Sequence, residues 1–169
     1  MTAATKTIVL QNEQIRQKIN RIAYEIYENN ISAKTLYVVG IEKQGYVLAE
    51  RICTLLKEIS PIDVKLVKLE MHKDEPLEHP IKLSVHVNDL ADQSVILVDD
   101  VLNSGKTLIY AAHYLLQSPL KNMNTVCLVD RLHRKFPIRA DFVGVTLSTT
   151  LQEHIQVEFE NGNDIVYLE

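Results

Sequence analysis

A chain of 169 residues with 46% apolar and 24% charged positions suits one folded unit, which by surface scaling hides roughly 70% of its unfolded area. The composition is that of an ordinary soluble chain, and two cysteines are too few for a disulfide scaffold. With no long uncharged apolar run and no signal-like leader, a cytoplasmic protein without membrane contact is expected. A net charge of −4 argues against nucleic-acid binding over the whole surface, although a local basic face survives such an average.

Along the chain, Ile15, Ile19, Ile22, Ala23, Ile26 and Tyr27 recur at helical spacing, with Asn12 as a candidate cap. Thr35 to Val39 is β-rich and ends at Gly40, after which Val47, Leu48, Ile52, Leu55, Leu56 and Ile59 return to helical spacing. A second strand is expected from Val64 to Met71. HKDEPLEHPIKL follows, a polar stretch with two prolines and no period, which reads as a loop or hairpin tip. Ser94 to Val98 and Thr125 to Val129 read as buried strands on either side of a helix from Thr107 to Leu116. This alternation predicts an α/β fold over residues 1–169 as a single domain, a doubly wound, mostly parallel sheet flanked by helices. Ligands on such sheets bind beyond the carboxyl ends of the strands, so the loops starting at Gly40, Asp99 and Asp130 matter most.

The C-terminal part differs. Phe142 to Val145, Ile155 to Phe159 and Ile165 to Leu168 are short strand candidates without intervening helices, and predict a small antiparallel addition near the sheet edge or over the site. Cys53 and Cys127 lie within apolar patterns and read as buried, reduced thiols. The six histidines show no i, i+4 or other short metal-type spacing and read as surface or structural residues.

The chemistry concentrates in VILVDDVLNSGKT, residues 95–107. An apolar strand delivers Asp99 and Asp100 at its carboxyl end, where carboxylates accept hydrogen bonds from vicinal hydroxyls. The turn from Asn103 to Thr107 then offers backbone N–H groups at a helix N-terminus, a site for phosphate. Ribose 5-phosphate carries both groups side by side. An ordinary capped helix after a strand stays open as a reading. A nucleotide P-loop does not fit. Gly105-Lys106-Thr107 mimics the end of that motif, but its first glycine position holds Asp100, and two carboxylates would repel a triphosphate.

These residues resemble the binding signature of type I phosphoribosyltransferases. The resemblance implies that Asp99 and Asp100 are the catalytic acids and hold the ribose hydroxyls of 5-phosphoribosyl 1-diphosphate (PRPP). It assigns Val101, Leu102, Asn103, Ser104, Gly105, Lys106 and Thr107 to the PRPP-binding loop, the last five around the 5′-phosphate. It further implies Mg²⁺ on the diphosphate and ribose oxygens near the acid pair, and a diphosphate loop at Glu42, Lys43, Gln44 and Gly45. Transfer through an oxocarbenium-like transition state depends on positioning and electrostatics, with little covalent help from the protein.

Residues 129–144, VDRLHRKFPIRADFVG, together with Gly40-Ile41, Gly45 and Leu48-Ala49-Glu50-Arg51, are similar to the pyrimidine regulatory proteins that also act as uracil phosphoribosyltransferases. The resemblance implies a small hood over the base, with Arg131 and Ile155 beside the nucleotide. It implies conversion of uracil to UMP with release of diphosphate, and a homodimer or higher homo-oligomer. The alternative it implies is a nucleotide-sensing, RNA-binding regulator with little transferase activity. Such a role would draw on Arg16, Lys18, Arg21, Arg134, Lys135 and Arg139. The chain departs from the subfamily at Lys43-Gln44 (Thr-Arg is usual), at Leu132 (Gly) and at Val145 (Lys). It also lacks a Tyr-Arg pair in the segment from His72 to Leu83, leaving Lys73 or Lys82 as the closing cation. Asn103 replaces the acid of the purine-using relatives and cannot take a proton at neutral pH, which disfavours a purine.

Overall fold

A computed structural model describes residues 5–169. In chain order the elements are β1 (Thr7–Gln11), α1 (Asn12–Asn29), β2 (Thr35–Ile41), α2 (Gln44–Ile59), β3 (Asp63–Glu70), β4 (Lys82–Leu83), β5 (Ser94–Leu102), α3 (Lys106–Leu115), β6 (Asn122–Asp130), β7 (Phe142–Thr146), β8 (Ile155–Glu158) and β9 (Ile165–Leu168). One 3₁₀ turn, Val87–Leu90, precedes β5. No described helix is long and apolar enough to cross a membrane.

The main sheet runs β4-β3-β2-β5-β6-β7, parallel except for β4, which lies antiparallel to β3. Alternate residues of each strand feed opposite faces, as a period of two demands. Leu36, Val38, Ile96, Val98, Val126 and Leu128 pack with the apolar stripes of α1 and α2. Tyr37, Val39, Val95, Leu97 and Cys127 pack with Leu108, Ala111 and Leu115 of α3. Both faces are covered, which is why these strands read as continuous apolar runs. Cys53 and Cys127 are buried free thiols, and burial pushes both up, Cys53 to about 12.

The chain crosses from β2 to β3 on one side, while β5 feeds β6 on the other, so connections diverge between β2 and β5. A crevice opens beyond the carboxyl ends of strands at such a point. The loops after β2 and β5 flank it.

Three sequence expectations need correction. Phe142–Thr146 is not part of an antiparallel addition but extends the main sheet, parallel to β6. The antiparallel piece is β1-β9-β8, and its first strand lies at the other end of the chain. TIVLQ carries no strong alternation, and its pairing depends on residues far away in sequence. Asn12 does not cap α1. Gln11 holds that position, with its N–H donating to Gln14 Oε1 at 2.9 Å, while Asn12 Oδ1 accepts the Asp164 N–H. Arg51 of α2 and Asp164 form a bidentate ion pair that ties the small sheet to the helical face.

Candidate active site

The acids lie one step deeper than their sequence suggests. β5 continues through Asp99 and Asp100 to Leu102, pairing with β6 as far as Asp130, so the strand itself fixes the carboxylates. Asp99 is buried, and its Oδ1 accepts the Asp100 N–H at 3.0 Å. Burial first, and the neighbouring Asp100 second, push the Asp99 carboxyl up to about 8, against the pull of Lys73. Lys73 Nζ stands 3.3 Å from Asp99 Oδ1 and 4.0 Å from Asp100 Oδ1. Burial lowers the Lys73 ammonium, but Asp99 and Asp100 outweigh it and hold the group above its ordinary value. Lys73 is therefore the cation over the acids. Lys82 sits in β4 at the sheet edge, in register with Glu70.

Beyond β5 the chain turns through Ser104 and Gly105. Gly105 occupies the left-handed region at φ 87° and is the N-terminal cap of α3, with no side-chain cap bond. A Cβ there would come within 2.8 Å of Ile138 Cγ2, so both conformation and space require glycine. The Lys106 N–H donates to Ser104 Oγ at 3.2 Å, and the other N–H groups of a helix start without a side-chain cap are orphans at the positive end of the dipole. A cavity of about 280 Å³ opens at this point, lined by Lys73, Asp74, Asp99 and residues 101–108. Its rim is braced from both sides. Lys106 Nζ donates to Asp74 O at 2.7 Å, and Ser104 O accepts the N–H groups of Lys135 and Phe136 at 2.8 and 3.0 Å.

The loop after β2 approaches the same strand. A Cβ on Gly45 would lie 3.0 Å from Asp99 Oδ1 and 3.2 Å from Val98 O, so the missing side chain lets α2 start directly against the acids. Lys43 holds φ 68°, a strained conformation for a residue with a side chain. Buried Gln44 Oε1 has no hydrogen-bond partner among the described residues. Glu42, Lys43 and Gln44 do not line the cavity beside α3.

The segment after β6 is tied down by two arginines. Arg131 is buried and donates to Asn103 Oδ1 at 3.0 Å, Thr149 Oγ1 at 3.0 Å and the carbonyls of Thr150 and Glu153. Arg134 bridges Asp130 Oδ2 at 2.6 Å and Asn103 O at 3.0 Å. Arg131 thus braces the segment through Asn103, with its guanidinium engaged by protein groups. Ile155 is packed in the hydrophobic core and does not line the cavity. Leu132, where the resemblance leads one to expect glycine, sits in the left-handed region at φ 65° and is exposed. The structure therefore requires there the backbone conformation that glycine adopts most readily.

Sequence reading missed two features. Arg134, which the sequence offers for an RNA role, is instead paired with Asp130 four positions before it. His72 and His79, seven apart, are brought together by the loop they flank, their rings stacked with centroids 4.4 Å apart. Both are surface residues, and their spacing of seven lies outside the short spacings considered from the sequence.

An acid pair at a strand terminus, an uncapped helix start and a covering loop on a doubly wound sheet define a phosphoribosyltransferase of type I architecture. The phosphoribosyl transferase domain model matches residues 6–160, and the chain belongs to that family of pentosyltransferases. It is similar to the bifunctional protein PyrR of Deinococcus radiodurans, 38% identical over 174 residues that cover 98% of this chain and 95% of that one. The bifunctional protein PyrR of Bacillus subtilis is 34% identical over 175 residues, with 95% of each chain covered. Among solved structures, the hypoxanthine phosphoribosyltransferase of Trypanosoma cruzi superposes with TM-score 0.78 at 18% identity, over 95% of both chains. A hypoxanthine-guanine phosphoribosyltransferase of Bacillus anthracis gives 0.69 at 22%, over 85% of this chain and 84% of that one. These two likenesses speak to fold alone.

Proposed function

We propose that this chain is a cytoplasmic uracil phosphoribosyltransferase, a single catalytic domain that joins uracil to the phosphoribosyl group of PRPP and releases diphosphate. The observation that carries the reading is one cavity edged by a buried carboxylate at a strand end and by a helix start without a side-chain cap. Asp99 and Asp100 accept the ribose 2′- and 3′-hydroxyls, and the N–H groups of residues 104–107 hold the 5′-phosphate. Gly45 lets the diphosphate approach along the loop 42–45, where Lys43 supplies a point charge in place of a bidentate guanidinium.

As the bond from C1′ to the diphosphate oxygen breaks, that oxygen keeps the electron pair. Uracil N1 bonds to C1′, and its proton passes to the departing diphosphate. Hard carboxylate oxygens already attract the Lys73 ammonium, so the donor set suits a hard divalent cation. Asp99 and Asp100 are the residues that would hold Mg²⁺, which when bound would neutralise charge developing on the leaving group. Lys73, on the covering loop, leaves the acids when ribose enters and turns to the diphosphate.

Asn103 supports a pyrimidine. Arg131 occupies its Oδ1, so the carboxamide offers its NH₂ donors, which suit a carbonyl oxygen such as those of uracil, while a purine N7 proton would find no acceptor there. The alternative of an RNA-binding regulator draws on the basic residues of α1 and the hood, but Arg16 pairs with Glu13, Arg21 with Glu25 and Arg134 with Asp130. Such internal pairing leaves less charge for phosphates. A homo-oligomer is part of the proposal.

Diphosphate release with PRPP and Mg²⁺ should be fastest with uracil in a panel that adds hypoxanthine, guanine, adenine and orotate. Preference for hypoxanthine or guanine would overturn the base assignment, and release with none of them would overturn the transferase reading.

A further inference from the structure

We infer that the loop after β3 carries a transition-metal site, formed by His72, Glu75 and His79, that takes a zinc-type divalent ion and controls the position of Lys73. One donor atom from each of the three residues lies within 4.8 Å of the other two. His79 Nε2 and Glu75 Oε2 already stand 3.5 Å apart. Metal–ligand bonds of about 2.0–2.1 Å at a tetrahedral angle hold their donors about 3.3 Å from each other, so this pair has the required separation. His72 is close behind, its ring stacked on that of His79 at 4.4 Å between centroids.

Two imidazoles and one carboxylate are a borderline donor set that suits zinc, cobalt or nickel better than magnesium or calcium. The side chains of Glu75 and His79 are 60% and 50% exposed, so rotation of their outer bonds meets no packing barrier. His72 Nδ1 now accepts the Glu75 N–H at 3.0 Å. The ion displaces that hydrogen bond, or the ring turns to offer Nε2, and either way the stack loosens. Three protein ligands leave a fourth position to water, the arrangement of an open, exchangeable site, whereas structural zinc sites are closed by four protein ligands.

Placement gives the site a consequence. Lys73 is adjacent to His72 and contacts Asp99 and Asp100, while the next residue, Asp74, is latched to Lys106 at the start of α3. An ion that ties residues 72, 75 and 79 together closes the loop on itself and fixes the segment from which Lys73 projects. Lys73 is then held over the acid pair, and a sugar diphosphate must displace it. Bound metal therefore raises the KM for PRPP more than it lowers kcat. This effect on transfer rests on the function proposed above, whereas metal binding itself does not.

The test is a Co²⁺ titration of the full chain followed by visible absorption, with Zn²⁺ as competitor, compared between the parent and His72→Gln/His79→Gln. The substitutions lie on an exposed loop and leave Asp99 and Asp100 intact as a control for binding at the acids. One equivalent of Co²⁺ should give d–d bands that Zn²⁺ abolishes, and the double variant should bind at least tenfold more weakly. Zn²⁺ at micromolar level with millimolar Mg²⁺ should raise the KM for PRPP in the parent and leave the variant unchanged. Equal Co²⁺ binding by parent and variant would overturn the site. Loss of binding in the variant with equal Zn²⁺ inhibition of both proteins would overturn the control of Lys73. Activity with Mg²⁺ alone reads the transferase proposal separately.

Discussion

The turn from β5 into α3 and the loop from β3 to β4 meet over the same cavity but are built on opposite terms. The first is held by a strand paired on both sides, a left-handed glycine and the N–H groups of Lys135 and Phe136, which donate to the Ser104 carbonyl. The second has exposed residues at 72, 74, 75 and 77–80, and is held toward the site by charge, through Lys73 on the acids and Asp74 on Lys106. A preorganised cradle faces a loop that can open, a division suited to an enzyme that must first admit and then enclose its substrate.

The largest effect is expected at the cradle. Replacing both acids, Asp99→Asn with Asp100→Asn, should lower kcat/KM by about 10³-fold or more while the protein remains folded. Retained turnover in the folded variant would remove the ribose-binding role. Gly105→Ala forces a Cβ against Ile138 and a side chain into φ 87°. It should cost about 2 kcal/mol of stability and raise the KM for PRPP, both read from denaturant curves and steady-state rates.

The loop should respond more mildly and through function. Lys73→Ala is expected to reduce kcat/KM by roughly 10–100-fold with little change in Tm, since a half-exposed lysine contributes little net stability. A loss as large as that of the acid pair would show that the loop is part of the fixed machinery, with no division between cradle and loop.

Asp99 adds a dependence on pH. Its carboxyl is raised to about 8 in the fold, against about 4 in the unfolded chain. The native state therefore keeps a proton that the unfolded state gives up. Its contribution is fully present below about pH 4 and is lost as pH rises toward 8. Asp99→Asn should thus flatten the decline in Tm between pH 5 and 8 and raise Tm at the upper end while activity falls. The smallest effect belongs to Leu132→Gly, which relieves a left-handed leucine and should stabilise by at most about 1 kcal/mol.

The same contrast explains what the sequence could disclose. β5 and α3 were readable because an apolar run, two acids and a glycine turn are local signals, and α1 because its stripe repeats at helical period. Burial within the strand brings the acids closer to the core than the run alone indicates, since pairing with β6 extends β5 to Leu102. β1 and β7 take their places from partners distant in sequence or from the sheet edge, which no window of residues reports. Lys73 could be narrowed to one of two lysines but not chosen, because the loop's path decides which one reaches the acids. Nor does a spacing of seven announce the His72–His79 stack, which a turn through Pro76 creates.

The most direct test of the cradle is calorimetric titration with ribose 5-phosphate in Mg²⁺, comparing the parent with the Asp99→Asn/Asp100→Asn and Gly105→Ala variants. Binding to the parent, with at least tenfold weakening in each folded variant, is the predicted result. Equal affinity across all three proteins would contradict the assignment of the β5–α3 turn to a phosphorylated ribose.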